Sequence, residues 1–288
     1  MGFHLANIAG RAALVSGAEF FDLEEISDGE FGPDLMAALM KPDEMASLLL
    51  RHGGKTPGGV ITDVDLGPPV PSPQKVFGVG LNYEMHVQEG GMETPSTPLV
   101  FTKFPSCLVG PNADVEIRSD FCDYEGELVV VIGTGGKDIP KADAWEHVLG
   151  LMVGQDISDR MVQYSANPPH FDLGKSFDTF GPIGPTLVSV DEVINPDDLR
   201  IVTAVNGEIR QDSSTKEMIF DVPTLISYLS GITTLTTGDI IFTGTPDGIG
   251  AAQGKFLSDG DIITTTIEGV GTMTNRCVRV SDFQGVDQ

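Results

Sequence analysis

Five consecutive apolar residues, Leu128-Val129-Val130-Val131-Ile132, follow directly on Asp123-Tyr124-Glu125-Gly126-Glu127. A short run that is mostly β-branched reads as a buried strand. The fold must therefore bring an acidic segment to the edge of its core. Glycine and proline constrain what surrounds that strand. With 35 glycines and 19 prolines the chain turns often, which favours many short strands over a helical bundle. Residues 201–205 and 208–211 read as a hairpin, because the intervening Asn206-Gly207 supplies the two positive-φ positions of a type I′ turn. Residues 239–245 and 262–267 are further strands, the latter returning through 269–271 toward Val280. Helices are expected over 141–148, 158–166 and 223–229.

Nearer the N-terminus, residues 1–30 read as short strands broken at Gly10 and Gly17. A helix follows from the N-cap Asp34 to Leu50, with Pro42 as its candidate break point. The Gly- and Pro-rich stretches 53–59 and 67–73 cannot hold regular structure and read as a linker region. The expectation is a mainly β, α+β protein. A small N-terminal α+β domain would span 1–70 and a larger domain 71–288, with no internal repeat and no alternating βαβ pattern.

Charge narrows the function classes. There are 42 acidic and 17 basic residues, a formal charge of −25. Binding to a phosphate backbone needs clustered cations, so this balance argues against nucleic-acid partners and against an anionic membrane surface. The excess is spread along the chain, 11 acids against 4 bases in residues 1–70, and reads as a solvated acidic surface. The three cysteines, Cys107, Cys122 and Cys277, show no metal-type spacing and suit a reducing compartment. The N-terminus lacks a charged segment and a long apolar core, so the expectation is a cytoplasmic protein.

Several segments could carry chemistry. Along a strand, Glu125 and Glu127 point to the same face. Two carboxylates about 4 Å apart repel by roughly 4 kcal/mol at an effective dielectric of 20. Beside so apolar a strand they require a cation, a shared proton or open water, and a hard divalent cation would take their oxygens. Asp156 stands at the entry to the helix expected over 158–166, with Arg160 and Gln163 on the same face if that helix includes all three. His86 and Glu89 are one helical turn apart, so the carboxylate can fix the imidazole tautomer and raise its basicity. Gly90-Gly91 would let that turn move as a lid. Lys175, among aromatic residues, glycine and proline, could stabilise an oxyanion. The loop 243–250 could hold an anion through hydroxyl and backbone N–H groups, while neither it nor 133–138 has nucleotide-loop spacing.

In order along the chain, GLNYEMHVQE, DYEGELVVVIG, GQDISDR, GKSFDTFGPIGP, VNGEIRQ and FTGTPDGIG resemble the fumarylacetoacetate hydrolase family. The resemblance runs from about Val76 to Val280, and points to the branch of acylpyruvases and 2-hydroxyhepta-2,4-diene-1,7-dioate isomerases. It implies a mixed, rolled β-sandwich catalytic domain behind a smaller N-terminal domain, and a homodimer. It further implies Mg²⁺ or Mn²⁺ on Glu125, Glu127 and Asp156, with Ca²⁺ a third candidate. His86 and Glu89 would form the lid dyad, Lys175 and Gln163 would stabilise oxyanion charge, and Arg160, Thr245 and Tyr83 would meet the substrate. Gln155 and Asp159 depart from the family's usual Asn-Asp-x-Ser/Thr-Ala-Arg, and the expectation is that Asp159 can pair with Arg160.

The activity so implied is metal-dependent hydrolysis of a C–C bond in a β-diketo acid or acylpyruvate, by water that His86 and Glu89 activate. The alternative on the same metal-enolate site is decarboxylation of oxaloacetate or isomerisation of a 2-hydroxy-dienoate. Either would act on a small anionic keto acid. A calcium-dependent, carbohydrate-binding β-module would explain the carboxylates and leave His86, Glu89 and Lys175 idle.

Overall fold

The computed structural model describes residues 2–51 and 55–281. Among them, strands β1 (His4–Ile8), β2 (Arg11–Ser16) and β3 (Glu19–Asp22) open the chain. They are followed by β4 (Val76–Gly80), β5 (Leu99–Thr102), β6 (Gly126–Ile132), β7 (Val148–Gln155), β8 (Gly181–Ser189) and β11 (Ile240–Phe242) in one large sheet. Its order is β3-β2-β1-β8-β7-β6-β11-β4-β5, and it is mixed, because β11 runs parallel to β4 while β6 and β7 are antiparallel. A second sheet has the order β10 (Glu208–Ser214), β9 (Arg200–Val205), β12 (Ile262–Ile267), β13 (Gly271–Arg279) and then Val115–Ile117. The architecture is a sheet-dominated, mixed α+β fold, as the sequence predicts.

Every residue of β6 is buried, and alternation along the strand divides it between two cores. Val129 and Val131 pack in a cluster with Phe242, Leu5, Leu14 and Phe21. Leu128, Val130 and Ile132 face another cluster with Ile241, Ile201 and Leu225. Burial on both faces explains the unbroken apolar run. The first of these clusters contains residues from β1 to β3, and β1 pairs directly with β8 through His4↔Val188 and Leu5↔Leu187. The opening strands thus extend the large sheet and share its core.

Local signals explain most of the elements. Asp34 caps α1 (Leu35–Ala38) by accepting from Met36 N and Ala37 N, and α2 (Pro42–Arg51) starts afresh at the proline. The hairpin of β9 and β10 turns at Asn206 and Gly207, with φ of 52° and 79°. The expected helix 141–148 is a 3₁₀ helix over Lys141–His147, and 223–229 belongs to a longer helix, Val222–Ile232. Two expectations are corrected. The helix predicted over 158–166 shrinks to Arg160–Gln163, because Ser158–Asp159 pairs with Cys122–Asp123 and Asp159 becomes the N-cap. Part of the expected linker is also strand: Gly67 pairs with Asn7, next to the pair of Leu66 with Ile8. Gly53 and Gly54 lie outside the described residues.

Candidate metal and active site

Sheet register assembles the acidic centre. Gly126 pairs with Gln155 and Glu127 with Gly154. The residue preceding β6, Glu125, therefore meets the residue following β7, Asp156, and Asp156 N donates to Glu125 O at 2.9 Å. Carboxylate oxygens of Glu125, Glu127 and Asp156 lie within 4.8 Å of one another, all three residues being buried.

Cations crowd two of these acids. Lys175 Nζ lies 2.7 Å from Glu125 Oε2, 2.5 Å from Asp156 Oδ2 and 2.8 Å from Ser158 Oγ. Arg160 Nη2 donates to Glu125 Oε1 at 2.6 Å, and Nη1 donates to Gln163 Oε1 at 2.9 Å. Burial acts against the Glu125 charge, but Lys175 and Arg160 outweigh it and hold the carboxyl at about 2. Glu127 shows the reverse. Burial, reinforced by Asp156 and Glu125, pushes its carboxyl well above the usual carboxylate range. Among the hydrogen bonds of the described residues, its carboxylate accepts from Gly244 N at 2.8 Å. An all-oxygen set with one acid forced toward protonation fits a hard divalent cation, whose charge would let Glu127 ionise.

The dyad stands beside this centre. His86 and Glu89 share the short helix Glu84–Glu89, and His86 Nδ1 is 2.8 Å from Glu89 Oε1. The other Glu89 oxygen accepts from Gly248 N at 2.9 Å, which docks the helix on the loop 243–250. His86, Glu125, Arg160, Gln163, Lys175 and Thr245 all line one pocket. Thr245 Oγ1 donates to Gly126 O at 2.9 Å and accepts from Gln211 Nε2 at 2.8 Å, so its hydroxyl hydrogen is engaged within the protein. Tyr83 is 1% exposed and outside that pocket lining, and among the described residues its hydroxyl has no hydrogen-bond partner. Burial, with the charge of Glu127 behind it, raises the phenol's pKa.

One expected pairing is absent. Asp159 caps Val162 N at 3.1 Å, and Arg160 is instead held by Asp123, with Nε and Nη2 at 2.9 and 2.8 Å from Oδ2. Gln155 accepts from Glu125 N at 3.0 Å and donates to Thr265 Oγ1 at 2.6 Å, fixing the backbone of a candidate ligand.

Two residues of the centre are not among those expected from the sequence. Lys103 is 1% exposed. Its Nζ donates to Asp156 Oδ1 at 2.7 Å, to Phe180 O at 3.2 Å and to Lys175 O. Its setting, Phe101-Thr102-Lys103-Phe104-Pro105, carries the same signal that marks Lys175, a lysine among aromatics and proline. Asp123 is the second, and nothing in its acidic tract separates it from Glu125.

The family model described as "Fumarylacetoacetate (FAA) hydrolase C-terminal" matches residues 75–278. Oxaloacetate tautomerase FAHD2A, mitochondrial, of Bos taurus is 40% identical over 252 residues, 85% of this chain and 80% of that one. A solved structure from Mycobacterium smegmatis, described as an HpcE candidate, has a TM-score of 0.91 at 43% identity and covers 98% of this chain and 100% of that one. Maleylpyruvate hydrolase from Sphingobium sp. SYK-6, in complex with manganese(II) and pyruvate, has a TM-score of 0.81 at 28% identity and covers 96% and 99%. Among the described residues no helix is long and apolar enough to cross a membrane.

Proposed function

This chain belongs to the fumarylacetoacetate hydrolase family, and from that premise we propose that it is a divalent-metal-dependent enzyme acting on a small 2-oxo dicarboxylate through enolisation. Keto–enol tautomerisation of an oxaloacetate-like substrate is the primary reading. Decarboxylation and double-bond isomerisation draw on the same chemistry. The observation that carries it is the position of Lys175, whose ammonium lies between two candidate ligands, Glu125 and Asp156.

Glu125, Glu127 and Asp156 would hold Mg²⁺ or Mn²⁺, which when bound polarises adjacent keto and carboxylate oxygens. Lys175 is positioned to balance negative charge that develops on the substrate's oxygen, in a buried setting where such a contact is strong. Burial lowers the pKa of this ammonium, but Asp156 and Glu125 outweigh that effect and keep it charged. Gln163 is tied to Arg160 through its carbonyl oxygen, which leaves its amide N–H₂ as the group that would reach the substrate. His86, with Nδ1 engaged by Glu89, would exchange a proton with the substrate carbon through Nε2. Lys103, Lys175 and Arg160 pair with Asp123, Glu125 and Asp156, and Glu127 is the fourth buried acid of the centre. A divalent cation would turn this centre net positive, which suits a dianion.

The test follows the enol absorbance of oxaloacetate with Mn²⁺ and then with EDTA, while total oxaloacetate and pyruvate are assayed in parallel. A metal-dependent loss of enol with constant total oxaloacetate is the expected result. Release of pyruvate would assign decarboxylation instead, and a rate equal to the uncatalysed one would exclude both.

Hydrolysis of a C–C bond is the second reading, favoured by the His86–Glu89 geometry at 2.8 Å. An acylpyruvate assay tests it. Turnover that survives His86→Ala would remove the dyad from water activation.

A further inference from the structure

Asp123 is fully buried and surrounded by donors. Its Oδ1 accepts from Tyr124 N at 2.9 Å and Gly250 N at 2.7 Å. Its Oδ2 accepts from Ala251 N at 2.9 Å and from Arg160 Nε and Nη2 at 2.9 and 2.8 Å. The loop approaches so closely that a Cβ on Gly250 would lie 2.5 Å from Asp123 Oδ1 and 2.4 Å from Lys255 O. The Cys122–Asp123 and Ser158–Asp159 ladder fixes this carboxylate opposite the segment that delivers Arg160.

The same Nη2 that reaches Asp123 also reaches Glu125 Oε1, at 2.6 Å. One guanidinium nitrogen thus serves two carboxylates, one of them a candidate metal ligand. A cation committed to Glu125 alone would compete with a divalent ion for that ligand. With Nε and Nη2 both donating to Asp123 Oδ2, it competes less, because a second buried carboxylate shares its charge and fixes its direction.

We propose that Asp123 is a positioning residue that anchors Arg160 and thereby sets the affinity of Glu125, Glu127 and Asp156 for a divalent cation. The proposal rests on the metal reading of those three acids.

Isothermal calorimetry with Mn²⁺ on the chelator-stripped full chain, at fixed pH and ionic strength, tests it. Asp123→Asn should bind at least tenfold more weakly than wild type. Arg160→Gln should bind severalfold more tightly, and the double variant should recover most of the affinity that Asp123→Asn loses. A residue that merely supports the fold would not be rescued by a second lesion. Binding by Asp123→Asn within threefold of wild type would overturn the proposal, as would a double variant no tighter than Asp123→Asn. Should Asp123→Asn fail to fold, Arg160→Gln decides alone: tighter binding supports the anchor, and unchanged or weaker binding overturns it. A wild-type protein that binds no Mn²⁺ removes the metal reading itself. Normal wild-type binding with an unaffected Asp123→Asn removes this role of Asp123 only.

Discussion

Two charged networks in this protein use the same chemistry in opposite surroundings. On the opening strands, Arg11 Nε meets Asp22 Oδ2 at 2.7 Å and Nη2 meets Glu24 Oε2 at 2.8 Å, with side chains 42%, 17% and 45% exposed. At the centre, Lys103 meets Asp156 and Lys175 meets Glu125 and Asp156 at similar distances, with side chains at most 8% exposed. Surface pairs retain much of their hydration and gain little from pairing. The central groups have lost that hydration, so each depends on partners that the fold must hold in place. Distance alone does not tell them apart. Burial does.

Lys103→Met gives the largest test of that difference. It keeps much of the side-chain volume and strips Asp156 Oδ1 of its buried cation, leaving Lys175 on Oδ2 as the remaining counter-ion. Breaking a buried pair in this way costs about 3–5 kcal/mol, measured by urea unfolding in EDTA. Saturating Mn²⁺ should recover more stability in the variant than in wild type, because it replaces part of the lost charge. A loss below about 1 kcal/mol would place the centre in the same class as the surface network.

Glu127→Gln should act in the opposite direction. Burial and repulsion by Asp156 and Glu125 raise the Glu127 carboxyl in the metal-free protein. Removing its charge should therefore raise the metal-free Tm, by about 3 °C for a chain of this size, while weakening Mn²⁺ binding. The pH dependence has a definite sign. A carboxyl raised in the folded state contributes stability that is full below its ordinary value of 4.5 and is lost as pH rises through the raised value. Glu125, held at about 2, contributes stability present above 4.5 and lost as pH falls through about 2. Unfolding measured across pH should thus keep its acid limb in Glu127→Gln and lose the fall at higher pH. An unchanged upper limb would show that Glu127 is not the group under strain.

The parts of this molecule legible in the sequence are those whose cause is local or repeated. Asn206-Gly207 encodes its hairpin in two residues, and Asp34 and Pro42 encode a cap and a break. The acids Glu125 and Glu127 stand out because charge abuts an apolar strand. Asp156 needed the motif GQDISDR as well, since its partner is set by the register of β6 against β7. Lys103 reaches residues far along the chain, Asp156, Lys175 and Phe180, so nothing within its own segment reveals what it holds. The choice of Asp123 over Asp159 as the anchor of Arg160 was likewise hidden. It follows from a two-residue ladder that turns Asp159 into a cap, and ladders that short leave no hydrophobic period to read.

Arg11→Gln should have the smallest effect, and it sharpens the contrast from the other side. The Arg11 contacts lie half in solvent, where ordering a long side chain offsets most of the attraction. Asp22 retains a second task that does not need Arg11, because its Oδ1 accepts from Glu25 N at 3.2 Å and caps the turn Leu23–Ile26. Leu14 and Phe21, on the strands that carry the pair, stay buried in the shared core whatever Arg11 does. The expected change in Tm is at most about 2 °C, shrinking further near 0.5 M salt as screening shortens the reach of exposed charges. The loss in Lys103→Met should persist in the same salt, since ions cannot enter between Lys103 and Asp156. A large, salt-resistant loss in Arg11→Gln would mean that the rim of the sheet supports the fold as the centre does, and burial would no longer separate the two networks.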